Sequence, residues 1–257
     1  MQNKIGVIIP TLGERSETLL DCLRTTRQAG AHFVLMVSPS KLSPDISELA
    51  DRVVLDSGQG LVGAINLGMS LLSPEISYVT WIGDDDLFEK DGLKKLAEQL
   101  DNDPNLSLVY GKCTYINSSG AYLGVNQIGQ VASTILGFGP DLIPQPSSLF
   151  RLEDFKRANG LNPRYKNAFD FDLFLKLRRF GTVRYIPERI SFFRWHDGSL
   201  SVNQRWRAVR EASEVRRSHL NPQVKFFSFL WEPLVIMSTF FAGKLISFRS
   251  KSKLTNR

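Results

Sequence analysis

Cysteine is almost missing from this chain, and the two that occur, Cys22 and Cys113, fall in stretches that read as helix and strand interior. They can form neither a disulfide framework nor a cysteine-based metal spacing, so a reduced setting is expected. The first residues run straight into the apolar Ile5 to Ile9 without the basic-then-apolar layout of a secretory signal, which points to the cytoplasm. Internal repeats and low-complexity tracts are also lacking, which sets aside repeat and linker-like architectures. No uncharged apolar run is long enough for an easy membrane span, since Phe226 to Phe248 is broken by Glu232, Pro233 and Lys244. What is there is 257 residues, 42% of them hydrophobic, ample for one large α/β domain or two small ones.

Charge is unevenly placed. Residues 205–257 hold eleven Lys or Arg against three Glu, a net +8, which leaves −2 for residues 1–204 of a chain at +6 in all. The pI near 9.4 therefore belongs to the tail and implies an anionic surface met by the C-terminal region. The basic stretch Arg205 to Arg217 belongs to no recognised nucleic-acid module, so nucleic acid is not an expected partner.

The first hundred residues alternate strand and helix signals, the pattern of a parallel sheet with helices on both faces. Ile5 to Ile9, Phe33 to Val37, Val53 to Leu55, Tyr78 to Ile82 and Leu106 to Tyr110 read as strands. Helices are expected over Ser16 to Gln28, with Gly30 as the stop, over Gly60 to Leu72, and around Leu93, Leu96 and Leu100. From Thr114 to Pro146 the pattern loosens into Gly, Ser, Asn and Pro and reads as irregular hairpins and a ligand-touching loop. Order returns with Ser148 to Phe150, a helix Glu153 to Asn159, a helix Asp170 to Arg179, a strand Val183 to Ile186 and a basic helix Arg205 to His219.

One run bears directly on chemistry. In Trp81-Ile82-Gly83-Asp84-Asp85-Asp86-Leu87 three carboxylates follow a buried strand, and in open α/β sheets ligands bind just beyond the carboxyl ends of strands. Adjacent carboxylates repel unless water, helix N–H groups or a cation offset the charge, and oxygen-only ligands suit Mg or Mn. The rival reading is an acidic turn leading into the helix that starts near Asp91. Asp170 heads an apolar-faced helix from which a carboxylate can project into a cleft as a general base, or simply cap the helix. On either reading the helix N-terminus is expected to lower its pKa.

Four motifs together resemble those of an inverting family 2 glycosyltransferase of the GT-A fold, over roughly residues 4–203. They are Ile8-Ile9-Pro10-Thr11, then Gly60-x-x-x-Ala64-x-Asn66-x-Gly68, then Gly83-Asp84-Asp85-Asp86, and last Asp170-Phe171-Asp172-Leu173 followed by Tyr185-Ile186-Pro187-Glu188 and Arg194-Trp195-His196-x-Gly198-Ser199. The resemblance implies an α/β fold with a Rossmann-like, mostly parallel central sheet. A catalytic domain would cover 1–203, with a nucleotide-binding half 1–112 and an acceptor half 113–203, and a helical tail would follow over 204–257.

It further implies a nucleoside-diphosphate sugar donor, a glycan or lipid-linked acceptor and a divalent Mn or Mg. Asp86 would be the first metal ligand, assisted by Asp84 or Asp85, with Asp84 also near ribose, and Asp170 would be the catalytic base. Pro10, Thr11, Asn66 and His196 would lie on the donor side, and Gln145 and Ser147 on the acceptor side. Arg15 adds a cation suited to phosphate. Asp172 reads as structural, and Trp81 as strand core beneath the site. Where many members have an Asp-Asp-Gly-Ser turn, this chain has Val37-Ser38-Pro39-Ser40, and Phe169 replaces the acidic residue that usually precedes the base, which leaves the nucleotide base open.

The tail reads as an interfacial segment on anionic lipid, with bulky apolar side chains among Lys225, Lys244, Arg249, Lys251 and Lys253, or else as helices packed on the domain or across a homodimer. The expected setting is the inner face of the cell membrane, with surface-polysaccharide synthesis as the process. A sugar nucleotidyltransferase and a catalytically silent scaffold for another glycosyltransferase are the competing readings.

Overall fold

The computed structural model describes residues 3–126, 129–195 and 205–241. A single nine-stranded sheet runs in the order β3-β2-β1-β4-β8-β6-β9-β5, with β7 hanging from β6. Its first half is parallel: β1 (Lys4–Pro10) lies between β2 (Phe33–Ser38) and β4 (Ile76–Trp81), and β3 (Arg52–Leu55) flanks β2. Past β4 the sheet is mixed. There β8 (Ser148–Arg151) is antiparallel to both β4 and β6 (Leu106–Ile116), β9 (Thr182–Arg194) is parallel to β6, and the two-residue β5 (Leu87–Phe88) is antiparallel to β9.

Period-two alternation explains why the parallel strands are apolar throughout. Ile8, Leu35 and Val37 face one core, whereas Ile5, Val7, Ile9, Val34 and Met36 face the other. The first core is covered by α3 (Gly60–Ser70), α6 (Leu152–Arg157) and α7 (Phe169–Leu177), through Ile65, Met69, Phe155, Phe171 and Phe174. The second is covered by α1 (Ser16–Ala29) and α4 (Gly92–Asn102), through Leu19, Leu23, Leu93, Leu96 and Leu100. Gly68 lets α3 approach the sheet, since a Cβ there would sit 2.7 Å from the Ile8 side chain.

Two stretches differ from the sequence pattern. The strand expected at Val183 to Ile186 runs on to Arg194, because the ladder shifts register around Pro187 and Glu188 and then resumes with Lys112 opposite Arg189. In the stretch expected to be irregular, β6 continues to Ile116 and folds back into β7 (Tyr122–Val125). Asn117 builds that turn, its side-chain oxygen accepting from the N–H groups of Ser119 and Ala121. A short helix, α5 (Gln130–Ile135), and the small α2 (Pro44–Ser47) complete the domain. The chain then continues into α8 (Arg205–His219), α9 (Pro222–Phe227) and α10 (Glu232–Phe241).

Candidate active site

Because β1 and β4 are parallel neighbours, the loops that follow them leave the sheet side by side. The β1 loop reaches across to the acid turn: the Thr11 hydroxyl donates to Asp84 Oδ2 at 2.6 Å and itself accepts from the Gly13 N–H at 2.9 Å. Arg15 pairs with Asp85 at 2.6 Å and lies 3.9 Å from Asp84. Pro10 ends β1 against Val37 and is buried. The turn itself closes through the Asp86 N–H to the Gly83 carbonyl, beneath which the Cys22 thiol packs at 3.4 Å. A Cβ on Gly83 would meet Asp86 Oδ2 at 3.1 Å and Asp85 Oδ1 at 3.2 Å, so two of the carboxylates fold back over this glycine.

Asp86 is 4% exposed, and its Oδ1 accepts from the Arg194 N–H at the end of β9, 2.8 Å away. Burial, and then the charge of Asp85, pushes its pKa well above the ordinary carboxylate range, against the pull of Arg194. Burial raises Asp84 as well, opposed by the Thr11 hydrogen bond. Arg194 is built into the same corner, its guanidinium donating to the carbonyls of Asp85 and Ser118. Desolvated carboxylates with raised proton affinity are sites where a cation is favoured. The donor set is oxygen only, which fits Mg or Mn held by one or two carboxylates with phosphate and water supplying the rest. Among the described residues no three His, Cys, Asp or Glu side chains converge on one cation position.

Trp81 connects the acid turn to Asp170. Its ring lies 5.9 Å from Phe150 and 6.1 Å from Phe169, the residue before Asp170, so the end of β4 and the start of α7 pack together. Asp170 stands in the first turn of α7, whose N-cap is Ala168, so it is not the capping residue. Its Oδ1 accepts from the Phe171 N–H at 2.9 Å. Burial pushes its pKa up to about 6, the opposite of the lowering expected from the helix terminus, because loss of water outweighs the helix dipole here. Asp141, unremarkable in its Gly-Phe-Gly-Pro-Asp loop, is the carboxylate that the sequence did not single out. Burial and the charge of Asp170 raise its pKa well above the usual range, while Arg216 opposes this.

Three expected contact residues are committed elsewhere. Asn66 spends both ends of its amide on the Leu161 backbone, donating to the carbonyl and accepting from the N–H at 2.9 Å each, so it clamps α3 to the chain after α6. Ser147 is fully buried, its hydroxyl donating to the Lys112 carbonyl at 3.0 Å and lying 2.5 Å from Ser191 Oγ, which leaves it inside the sheet rather than on an acceptor surface. Gln145 donates to the Trp81 carbonyl at 2.8 Å and closes the end of β4. Asp172 is buried and paired with Lys176 and His219. His196 lies outside the described residues. A cavity of about 590 Å³ at the β5–β9 edge is lined by residues that include Lys90, Lys95, Lys112, Glu188 and Arg189 and shares no residue with the acid turn.

Comparison with known proteins follows the same geometry. The sequence model described as glycosyl transferase family 2 matches residues 6–156, which include the acid turn and stop short of Asp170. A Haemophilus influenzae protein named as an uncharacterized glycosyltransferase is 23% identical over 229 residues, covering 84% of this chain and 76% of its own. The crystal structure of S. aureus TarS 1-349 superposes with a TM-score of 0.61 at 14% identity, over 89% of this chain and 71% of that one. The mannosyltransferase PcManGT from Pyrobaculum calidifontis, in complex with GDP-Man and Mn2+, superposes with a TM-score of 0.66 at 13% identity, over 98% of this chain and 76% of that one.

Proposed function

The chain belongs to glycosyl transferase family 2 and is a glycosyltransferase of the GT-A fold, and from that premise we propose that it moves one sugar, with inversion, from a nucleoside-diphosphate donor to a hydroxyl of a glycan or lipid-linked acceptor, with a divalent metal. The observation that carries this reading is the pairing of a desolvated acid turn at the carboxyl ends of β1 and β4 with a proton-accepting carboxylate, Asp170, across Trp81.

Asp86, with Asp84, would hold the cation, which when bound stabilises charge on the leaving diphosphate. Arg15, half exposed on the β1 loop, can turn its guanidinium from Asp85 to a phosphate oxygen. Asp170 takes the proton of the acceptor hydroxyl as that oxygen bonds to the anomeric carbon and the bond to the diphosphate breaks on the opposite face. A pKa near 6 keeps Asp170 ionised at neutral pH, yet basic enough to accept the proton. The process we propose is surface-polysaccharide synthesis on the cytoplasmic side of the cell membrane.

Calorimetric titration with UDP-, GDP- and dTDP-sugars, in Mn and then in chelator, tests the donor half. One nucleotide class should bind in Mn and be lost in chelator, and Asp86→Asn, which keeps an acceptor for the Arg194 N–H, should lose it too. Undiminished binding in chelator and in that variant would remove the metal role. Asp170→Asn should retain donor binding while transfer falls by about 10²-fold or more; full transfer in this variant would end its assignment as base.

A further inference from the structure

The C-terminal helices leave a large apolar surface uncovered. Phe226 is 73% exposed, Leu234 71%, Leu230 64% and Phe229 63%, and Phe227, Met237 and Phe241 are each at least half exposed. So much apolar area on one short stretch marks an interaction site rather than ordinary surface scatter. No single described helix is long and apolar enough to cross a membrane, and the one pair that has the composition is bent by 61° between Leu230 and Glu232. That break is anchored in protein. Glu232 is buried and takes a bidentate pair from the fully buried Arg216 at 2.7 and 3.0 Å, with a third bond from Ser213 at 2.6 Å. A helix pair tied down in this way lies along the domain instead of threading a bilayer.

Charge selects the occupant. Lys225 is exposed on α9 beside the apolar residues, Arg207, Arg210 and Arg217 are exposed on the preceding α8, and residues 205–257 carry a net +8. A second copy would bring the same positive charge against its own, whereas an anionic lipid surface attracts each cation and accepts the apolar side chains between headgroups. We propose that α9, the 3-10 turn Ser228–Leu230 that follows it and α10, through Phe226, Phe229, Leu230 and Leu234, form an interfacial docking face for an anionic lipid bilayer.

The docking face is tied mechanically to the acceptor side of the site, which deepens the glycosyl-transfer reading and rests on it. Arg216 also donates to the Gly139 carbonyl at 2.8 Å, and Trp231 packs on Phe138 with ring centroids 6.4 Å apart, so the loop carrying Asp141 is held by the helices that would meet the lipid. The hydroxyl offered to Asp170 is then presented from the bilayer plane.

The test is flotation of the full chain with vesicles of phosphatidylglycerol and phosphatidylcholine, against vesicles of phosphatidylcholine alone, at about 0.1 M salt. The chain should float with the anionic vesicles and bind the neutral ones at least about tenfold less. The triple variant Phe226→Ser, Leu230→Ser, Leu234→Ser changes only exposed positions, so it should fold normally and lose vesicle binding by at least about tenfold. No flotation of the full chain, or equal flotation of the variant, overturns the proposal. So does a dimer in sedimentation that this variant breaks while vesicles bind neither form. Donor titration separates the two readings: vesicle binding without binding of any nucleotide sugar would support the docking face and count against the transfer chemistry.

Discussion

Asp170 feels two opposed influences, the N-terminal end of α7, which favours the carboxylate, and burial, which favours the acid, and burial wins, leaving the pKa at about 6. The consequence for activity is a plateau of kcat/KM above pH 6 and a fall of about tenfold per unit below it, since only the ionised form accepts a proton. A flat profile from pH 4.5 to 8 would contradict the assignment. Stability must move the other way. The folded-state pKa is raised above the unfolded value, so the contribution of this group is fully present below about pH 4 and is lost as pH rises through 6. Asp170→Asn should therefore be more stable than the parent at pH 7 by about 1–3 kcal/mol, with the difference vanishing near pH 4, as read by denaturant unfolding. Asp141 belongs to the same electrostatic unit, and nothing in its own neighbourhood of sequence announces this.

Helix α3 and the segment after α6 are joined at one point, where the Asn66 amide replaces a backbone partner for the Leu161 peptide. Gly160 makes room for it, with φ at +69° and a would-be Cβ only 2.8 Å from Asn66 Oδ1. Asn66→Ala leaves a partly buried peptide unpaired and should cost about 1–3 kcal/mol in denaturant unfolding, with donor affinity nearly unchanged. A large loss of donor affinity at unchanged stability would instead place Asn66 at the donor site. The strands and helices of the first hundred residues are legible because each buries a periodic apolar face on a sheet covered on both sides. The second half is less so. The polar residues from Pro187 to Arg189 hide the continuity of β9, and the Gly- and Ser-rich composition after Ile116 hides a hairpin whose order comes from pairing to β6.

At the scale of the whole molecule, a buried ion pair, Arg216 with Glu232, ties α10 to α8, while α8 is held on the domain by Val215 in the first core, by His219 with Asp172 and by Glu211 with the N–H groups of Lys166 and Asn167. Removing one partner leaves a buried charge, so Glu232→Ala should destabilise by about 3–5 kcal/mol, while Arg216→Met with Glu232→Leu should be close to neutral. Although burial raises the pKa of Glu232, Arg216 and Ser213 hold it below the ordinary value. A depressed folded-state pKa means stabilisation that is present above the unfolded value and lost on acidification, so the gap between parent and Glu232→Ala should close as pH falls below 4.5. The sequence by itself determined the alternation of strands and helices, the acid turn at the end of β4, the helix that presents Asp170 and the division of charge between domain and tail, because these depend on local pattern and residue type. Only the tertiary structure decided which carboxylates lose their water, that Asn66, Gln145 and Ser147 bond backbone and neighbours, and that the tail is locked to the loop of Asp141. Those outcomes depend on partners far apart in the chain, as where the N–H of Arg194 meets Asp86 across 108 positions, and burial and hydrogen bonding are properties of that meeting rather than of either residue.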